Sequence, residues 1–147
     1  MAILTDEIFM REALKQAHLA FQRDEVPIGA VIVSDGLIIA KAHNQVEQLG
    51  DVTAHAEMLA ITAASSYLGS KYLHGCTLYV TLEPCPMCAA ALRWAQIDRI
   101  VYGADDPKGG FMRFGQSLLH PSTKVSSGLC KVESQTLLKH FFHSKRL

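Results

Sequence analysis

Two short segments set the terms for any fold this chain adopts: His55-Ala56-Glu57 and, further along, Pro84-Cys85-Pro86-Met87-Cys88. Between them they carry one imidazole, one carboxylate and two thiols, which serve a single metal ion only if the fold brings both segments to one point. Cys85 and Cys88 are three apart, so on a helix they share a face. Pro86 suits the first helical position, where its missing N–H costs nothing, which makes Cys85 the cap and puts Cys88 in the first turn. Both sulfurs then sit at a helix N-terminus, where the dipole favours the thiolate that a metal requires.

His55 supplies a third ligand, and three protein ligands leave the fourth position of zinc open to water. Cys76 and Cys130 are isolated, and His43, His74 and His120 belong to no short ligand pair, so a closed structural site would need a distant recruit. Two thiolates and a neutral imidazole cancel the formal charge of zinc and weaken its pull on a water, so a nearby base has to compensate. Glu57 is that base: two residues from His55, it need not bind the metal to reach the water. Taken alone, Cys-x-x-Cys also reads as a redox pair or half of a structural zinc site, and His-x-Glu as a solvated surface pair. Taken together, His-x-Glu followed by Pro-Cys-x-x-Cys is the pattern of the zinc nucleobase deaminases.

At 147 residues and 49% hydrophobic, the chain is long enough for one buried core and short for two, so residues 1–147 read as a single domain. The start lacks a basic segment with an apolar run, and no stretch approaches a membrane span, which predicts a cytoplasmic protein with no membrane partner. Four cysteines, two of them reserved for metal, make no disulfide framework. The formal net charge is zero, so any attraction for phosphate has to come from local basic groups.

Element types alternate along the chain without a repeat or linker. Thr5 is placed as the cap of a helix to about Arg23, with Ile8, Ala13, Leu14, Ala17 and Phe21 as its apolar stripe. Ile28 to Val33 and Leu37 to Ala42 read as buried strands joined through Ser34-Asp35-Gly36, and Asn44 to Val52 as a loop. Thr53 or Ala54 opens a helix through Ala64, Cys76 to Thr81 is a strand, and the proline-thiol segment opens a helix through Ala95. Arg99 to Tyr102 is a strand, 108–121 is irregular, Lys124 to Ser126 is a short strand, and a helix from Lys131 to about His143 closes the chain. Two strand–loop–helix passages thus deliver His55 with Glu57, and Cys85 with Cys88, to helix starts; the scaffold is an α/β sheet covered by helices, with the metal between those starts.

These motifs sit in a longer pattern. Val26-Pro27-Ile28-Gly29-Ala30-Val31, Asn44, Thr53-Ala54-His55-Ala56-Glu57, the Thr77 to Cys85 strand and turn, Gly103-Ala104, and Asp106 with Lys108 resemble the cytidine-deaminase superfamily over nearly the whole chain. Thr81-Leu82-Glu83-Pro84-Cys85, Asp106-Pro107-Lys108 and the Leu137-Leu138 to Phe141-Phe142 ending are most similar to its bacterial tRNA adenosine deaminase branch. The resemblance implies a three-layer domain with a mixed sheet of about five strands, one zinc held by His55, Cys85 and Cys88, and Glu57 carrying protons. It further implies that Asn44 and the backbone of Ala56 meet a flipped base, and that Asp106 and Lys108 lie near its ribose and phosphates. Phe142, Lys145 and Arg146 would meet the anticodon stem-loop of a tRNA. The reaction it implies is adenosine to inosine at the wobble position, in a homodimer with Leu92 to Ile97 near the contact.

One stretch departs from that family. After Asp-x-Lys a small, glycine- and alanine-rich turn is usual, whereas here Gly109-Gly110-Phe111-Met112-Arg113-Phe114 intervenes with two aromatics, placed either on a nucleotide or on the protein's own core. Two other functions fit parts of the sequence: Glu83-Pro84-Cys85-Pro86-Met87-Cys88 also resembles guanine deaminases, which the neutral charge suits, and a non-catalytic zinc-binding partner subunit would keep the ligands without needing Glu57.

Overall fold

In a computed structural model, which describes the backbone of residues 2–146 and the side chains of 6–145, five strands form one mixed sheet in the order β2-β1-β3-β4-β5. The strands are β1 (Gly29–Ser34), β2 (Leu37–His43), β3 (Cys76–Leu82), β4 (Arg99–Ala104) and β5 (Lys124–Ser127). β1 runs antiparallel to β2 and β3, whereas β3, β4 and β5 run parallel. Asp35 and Gly36 both take positive φ, 53° and 74°, as the tight β1–β2 turn requires.

Helices cover both faces. On one side lie α1 (Ala2–Gln22) and α5 (Lys131–Arg146); on the other lie α3 (Ala56–Leu68) and α4 (Pro86–Ala95). Successive strand residues point to opposite faces, so Val31, Val33, Tyr79 and Val101 pack with Met10 and Ala13 of α1, while Ala30, Ile32, Leu78, Val80 and Ile100 meet α3 and α4. Helix α3 presents Ala56, Ala60 and Ala64 to the sheet, four residues apart and all buried, so only methyl groups separate its backbone from the strands. Helix α1 comes closer still: a Cβ on Gly29 would stand 2.0 Å from the Ala13 carbonyl oxygen.

Several boundaries differ from the sequence reading. Helix α1 is already under way at Ala2, so Thr5 lies within it rather than capping it. Its buried stripe is Met10, Ala13, Leu14, Ala17 and Ala20, with Phe21 half-buried; Ile8 is 62% exposed, because it falls off the face that Ala13 and Ala17 define. Helix α3 starts at Ala56, two or three residues later than the expected Thr53 or Ala54, because the Asp51 carboxylate accepts the Thr53 N–H at 2.8 Å and its hydroxyl at 2.7 Å and holds the chain in a turn. The 44–52 loop contains a single helical turn, α2 (Val46–Leu49), and 108–121 contains two short 3₁₀ turns, Phe111–Phe114 and Gln116–Leu118.

Candidate active site

His55 and Cys85 occupy equivalent places: each is the N-cap of a helix, in extended backbone, and neither uses its side chain to cap. Helix α3 follows the β2–α3 loop and α4 follows β3, so both starts lie at the same end of the sheet and the two side chains turn toward one another. Pro86 takes the first helical position as expected, and Cys88 sits two residues beyond it in the same turn. His55 Nδ1 is 3.6 Å from Cys85 Sγ and 3.5 Å from Cys88 Sγ, and the three donor atoms all lie within 4.8 Å of one another. Nitrogen and sulfur donors of one tetrahedral zinc stand roughly 3.5 to 4 Å apart, given bonds of about 2.0 and 2.3 Å, so these three fit one ion without rearrangement.

Glu57, the second residue of α3, is 3% exposed, and its Oε1 has no hydrogen-bond partner among the described residues. Burial pushes its carboxyl up to about 7, so it takes and releases a proton near neutrality. The thiols divide. A hydrogen bond from Cys88 pulls Cys85 down to about 5, while that same bond and burial push Cys88 up. Two sulfurs this close share one proton, which a bound metal ion would displace.

Beside the ligands a cavity of about 220 Å³ is lined by Glu25, Val26, Ile28, Asn44, Val46, Glu47, His55 and Ala56. Asn44 and Ala56, both expected at a base, therefore line the same cavity as His55. Asn44 is held by donating from Nδ2 to the Val26 carbonyl and accepting the Val46 N–H at Oδ1, each at 3.3 Å. A wider depression, lined by Arg23, Asp24, Glu25, Glu47, Gln48 and Lys145, shares Glu25 and Glu47 with that cavity and so continues from it. Lys145 borders this depression, paired with Asp24 and over the Phe141 ring. Phe141 is buried and Phe142 is 44% exposed. The side chain of Arg146 lies outside the described residues. Asp106 and Lys108 lie apart from both hollows, on the segment after β4; the Asp106 carboxylate accepts the Gly109 N–H at 3.0 Å, and Lys108 is exposed.

Two buried glutamates that frame the site were not singled out from the sequence. Glu25, 1% exposed, accepts the N–H groups of Glu47 at 3.0 Å and Gln48 at 2.6 Å and so fixes the start of α2 along the cavity. Glu83, 5% exposed, accepts those of Asp106 at 3.1 Å and Met112 at 3.0 Å. Their signal was a carboxylate flanking an apolar strand, a position where a charge stays buried only with partners. All four cysteines are free, and among the described residues no helix is long and apolar enough to cross a membrane.

Residues 4–104 match the family model of the cytidine and deoxycytidylate deaminase zinc-binding region. The chain is 51% identical over 144 residues to a tRNA-specific adenosine deaminase of Agrobacterium fabrum, covering 95% of each. A solved structure from studies of A-to-I editing by tRNA:A34 deaminases superposes with a TM-score of 0.83 at 51% identity, covering 88% of this chain and 98% of that one. A guanine deaminase of Bacillus subtilis agrees less far, with a TM-score of 0.65 at 42% identity over 67% of this chain and 64% of that one. A match that spans the ligands, the buried glutamate and almost the whole length places the chain in the zinc-dependent cytidine and deoxycytidylate deaminase family, among its tRNA-specific adenosine deaminases.

Proposed function

We propose that this chain converts adenosine to inosine hydrolytically at the wobble position of a tRNA anticodon. The observation that carries the proposal is sequence identity: 51% over 95% of a tRNA-specific adenosine deaminase, against guanine deaminases that match either two thirds of the chain at 42% or, with an equally close superposition, 92% of it at only 25%. His55, Cys85 and Cys88 would hold the zinc ion, which would supply the Lewis acidity that makes a water nucleophilic at neutral pH. Glu57 takes a proton from the attacking water as the water oxygen adds to C6 of the adenine. It passes that proton to N1, then takes the remaining proton from the new C6 hydroxyl and delivers it to the amino group; the C6–N bond breaks, ammonia leaves and the C6 carbonyl of inosine remains. A carboxyl near 7 in a buried setting suits both halves of that transfer.

A 220 Å³ cavity is below the roughly 300–1,000 Å³ of drug-sized sites and suits a single planar base turned out of an RNA loop. Asn44 and the Ala56 backbone bind its edge, and Asp106 and Lys108 engage the ribose and phosphates. Phe142, Lys145 and Arg146 take the anticodon stem-loop where the wider depression opens beside Lys145. Residues 1–147 act as one domain in the cytoplasm. Two copies pair through the outer surface of α3 and α4, where Trp94 is 78% exposed beside Ile61 and Tyr72; Leu92 and Ile97 are buried in the core, which leaves the contact to Trp94.

Mass analysis of an anticodon stem-loop bearing adenosine at the wobble position, run beside ammonia release from guanine, adenosine and cytidine, tests the proposal. A gain of one mass unit in the RNA, as ~NH is exchanged for ~O, is expected. Ammonia from guanine with unchanged RNA would replace this reading with a free-base deaminase, and full zinc occupancy without any turnover would replace it with a partner subunit.

A further inference from the structure

We propose that Phe114 and Arg113 form a stacking platform for a nucleotide of the RNA strand adjacent to the base that enters the cavity, an inference resting on the RNA-deaminase reading above. The segment that carries them is fastened on every side. Phe111 is fully buried, edge-on to Tyr102 at 6.2 Å, and its N–H donates to the Pro84 carbonyl at 2.9 Å. Met112 donates its N–H to Glu83, and Arg93 reaches from α4 to the carbonyls of Ser117 at 3.0 Å and Leu119 at 2.7 Å. Glu83 and Pro84 directly precede Cys85, so the platform is tied through hydrogen bonds to the turn that presents the metal ligands.

Within that fastened segment Phe114 stays 59% exposed. The Arg113 guanidinium lies over its ring, 5.7 Å from the centroid, and donates to the Lys108 carbonyl at 2.6 Å. One face of the ring is therefore taken by a cation and the opposite face is left for a flat partner. Arg113 puts a cation beside it in a chain of zero net charge, and the exposed Lys108 lies in the same segment. The neighbouring acids are engaged: Asp105 pairs with Lys131 at 3.2 Å, Asp106 caps Gly109, and Glu83 holds backbone N–H groups. An aromatic face beside a guanidinium matches a nucleotide, whose base stacks and whose phosphate carries the opposite charge. It also gives a role to the stretch where this chain departs from the small-residue turn usual at that position.

The test is the affinity of the zinc-loaded protein for a fluorescently labelled anticodon stem-loop, with turnover measured on the same samples. Phe114→Ala and Phe114→Leu should each weaken binding about five- to a hundredfold, since stacking is lost in both while leucine keeps the bulk, and Phe114→Trp should restore it. Arg113→Ala should lower the salt dependence of log K by about 0.7 to 0.9. Wild-type affinity in both Phe114→Ala and Phe114→Leu, with stem-loop turnover intact, would overturn the platform and leave the deaminase reading standing. Conversion of a wild-type dimer to a monomer by Phe114→Leu would overturn it in favour of a second copy on that ring. A wild-type protein that neither binds nor converts the RNA would overturn both readings.

Discussion

The Glu83 carboxylate accepts the backbone N–H of Met112 across 3.0 Å, with its other oxygen taking the N–H of Asp106, so the first residue of the β3–α4 connection grips the segment that follows β4. Gly110 packs so closely here that a Cβ would fall 1.9 Å from Glu83 Oε2. Glu83→Ala removes both acceptors and leaves two shielded N–H groups unpaired, at about 1–3 kcal/mol each. Thermal unfolding should show the loss at roughly 2–4 °C per kcal/mol, and kcat/KM on stem-loop RNA should fall because Asp106 and Lys108 are no longer held. Zinc content should remain near one per chain, and Glu83→Gln, which keeps one acceptor oxygen, should lie between. Loss of zinc in Glu83→Gln would mean that the residue acts on Cys85 rather than on the loop.

The difference between what could be read in the sequence and what could not follows the range of the interactions. Cys85 as cap and Pro86 at the first helical position were legible because both are local rules of backbone geometry. His55 with Glu57 was legible as chemistry, but the start of its helix was misplaced because the Asp51 turn overrode the capping choice between Thr53 and Ala54. Strands β1 to β4 emerged from apolar runs and their turns. Glu25 and Glu83 did not, since their partners lie 22, 23 and 29 positions away and no periodicity marks them. The two aromatics of the irregular stretch separate for the same reason: Phe111 finds Tyr102 and is buried, whereas Phe114 has no core position within reach.

Gly29 is the point where α1 touches the sheet. A methyl group there would meet Ala13 O at 2.0 Å, Ala17 N at 2.4 Å and Gln16 Cβ at 2.7 Å, two of which are backbone atoms that cannot rotate away. Gly29→Ala should cost at least the 1–3 kcal/mol or so of an overpacked core, because a whole helix has to lift. Urea denaturation is the measurement. A stability within 0.5 kcal/mol or so of wild type would show that α1 yields without cost.

Asp6 receives both guanidinium nitrogens of Arg99, at 2.6 and 2.9 Å, and the Tyr79 hydroxyl at 2.6 Å. The Arg99 hydrogen bonds hold its carboxyl below the ordinary value against the opposing effect of burial. Because the folded pKa is the lower one, the pair contributes stability above the unfolded value of about 3.9, and that contribution is lost as pH falls through the folded pKa. Asp6→Asn should lower stability at pH 7 by about 1–2 kcal/mol, allowing for the half-open position of the pair, and the gap to wild type should close as pH falls below about 4. A gap that stays constant from pH 7 to the acid limit would assign the effect to shape rather than charge.

Trp94 stands on the outer side of α4 with most of its ring in solvent, beside a shallow depression that includes Ile61, Tyr72 and Ala91. Burying such a ring against a second copy would contribute about 2–3 kcal/mol per side. Light scattering after size exclusion should give a dimer for wild type and a monomer or a concentration-dependent mixture for Trp94→Arg. A wild-type monomer would remove the pairing altogether.

Glu57 and Cys88 lie against one another in the buried site, yet their substitution should have opposite effects on metal. Glu57→Ala removes the proton carrier and leaves all three donor atoms in place, so zinc should stay near one per chain while ammonia release from the RNA is abolished. Cys88→Ala removes a donor that sits 3.5 Å from His55 Nδ1, so zinc and activity should fall together. Glu57→Gln sharpens the contrast: it keeps the shape and bulk of the side chain but has no proton to exchange near neutrality, and should match Glu57→Ala in rate. Metal analysis by mass spectrometry alongside inosine formation separates the outcomes. Zinc lost from Glu57→Gln would make the glutamate a ligand, and an active, fully metallated Cys88→Ala would remove the thiol from the metal site.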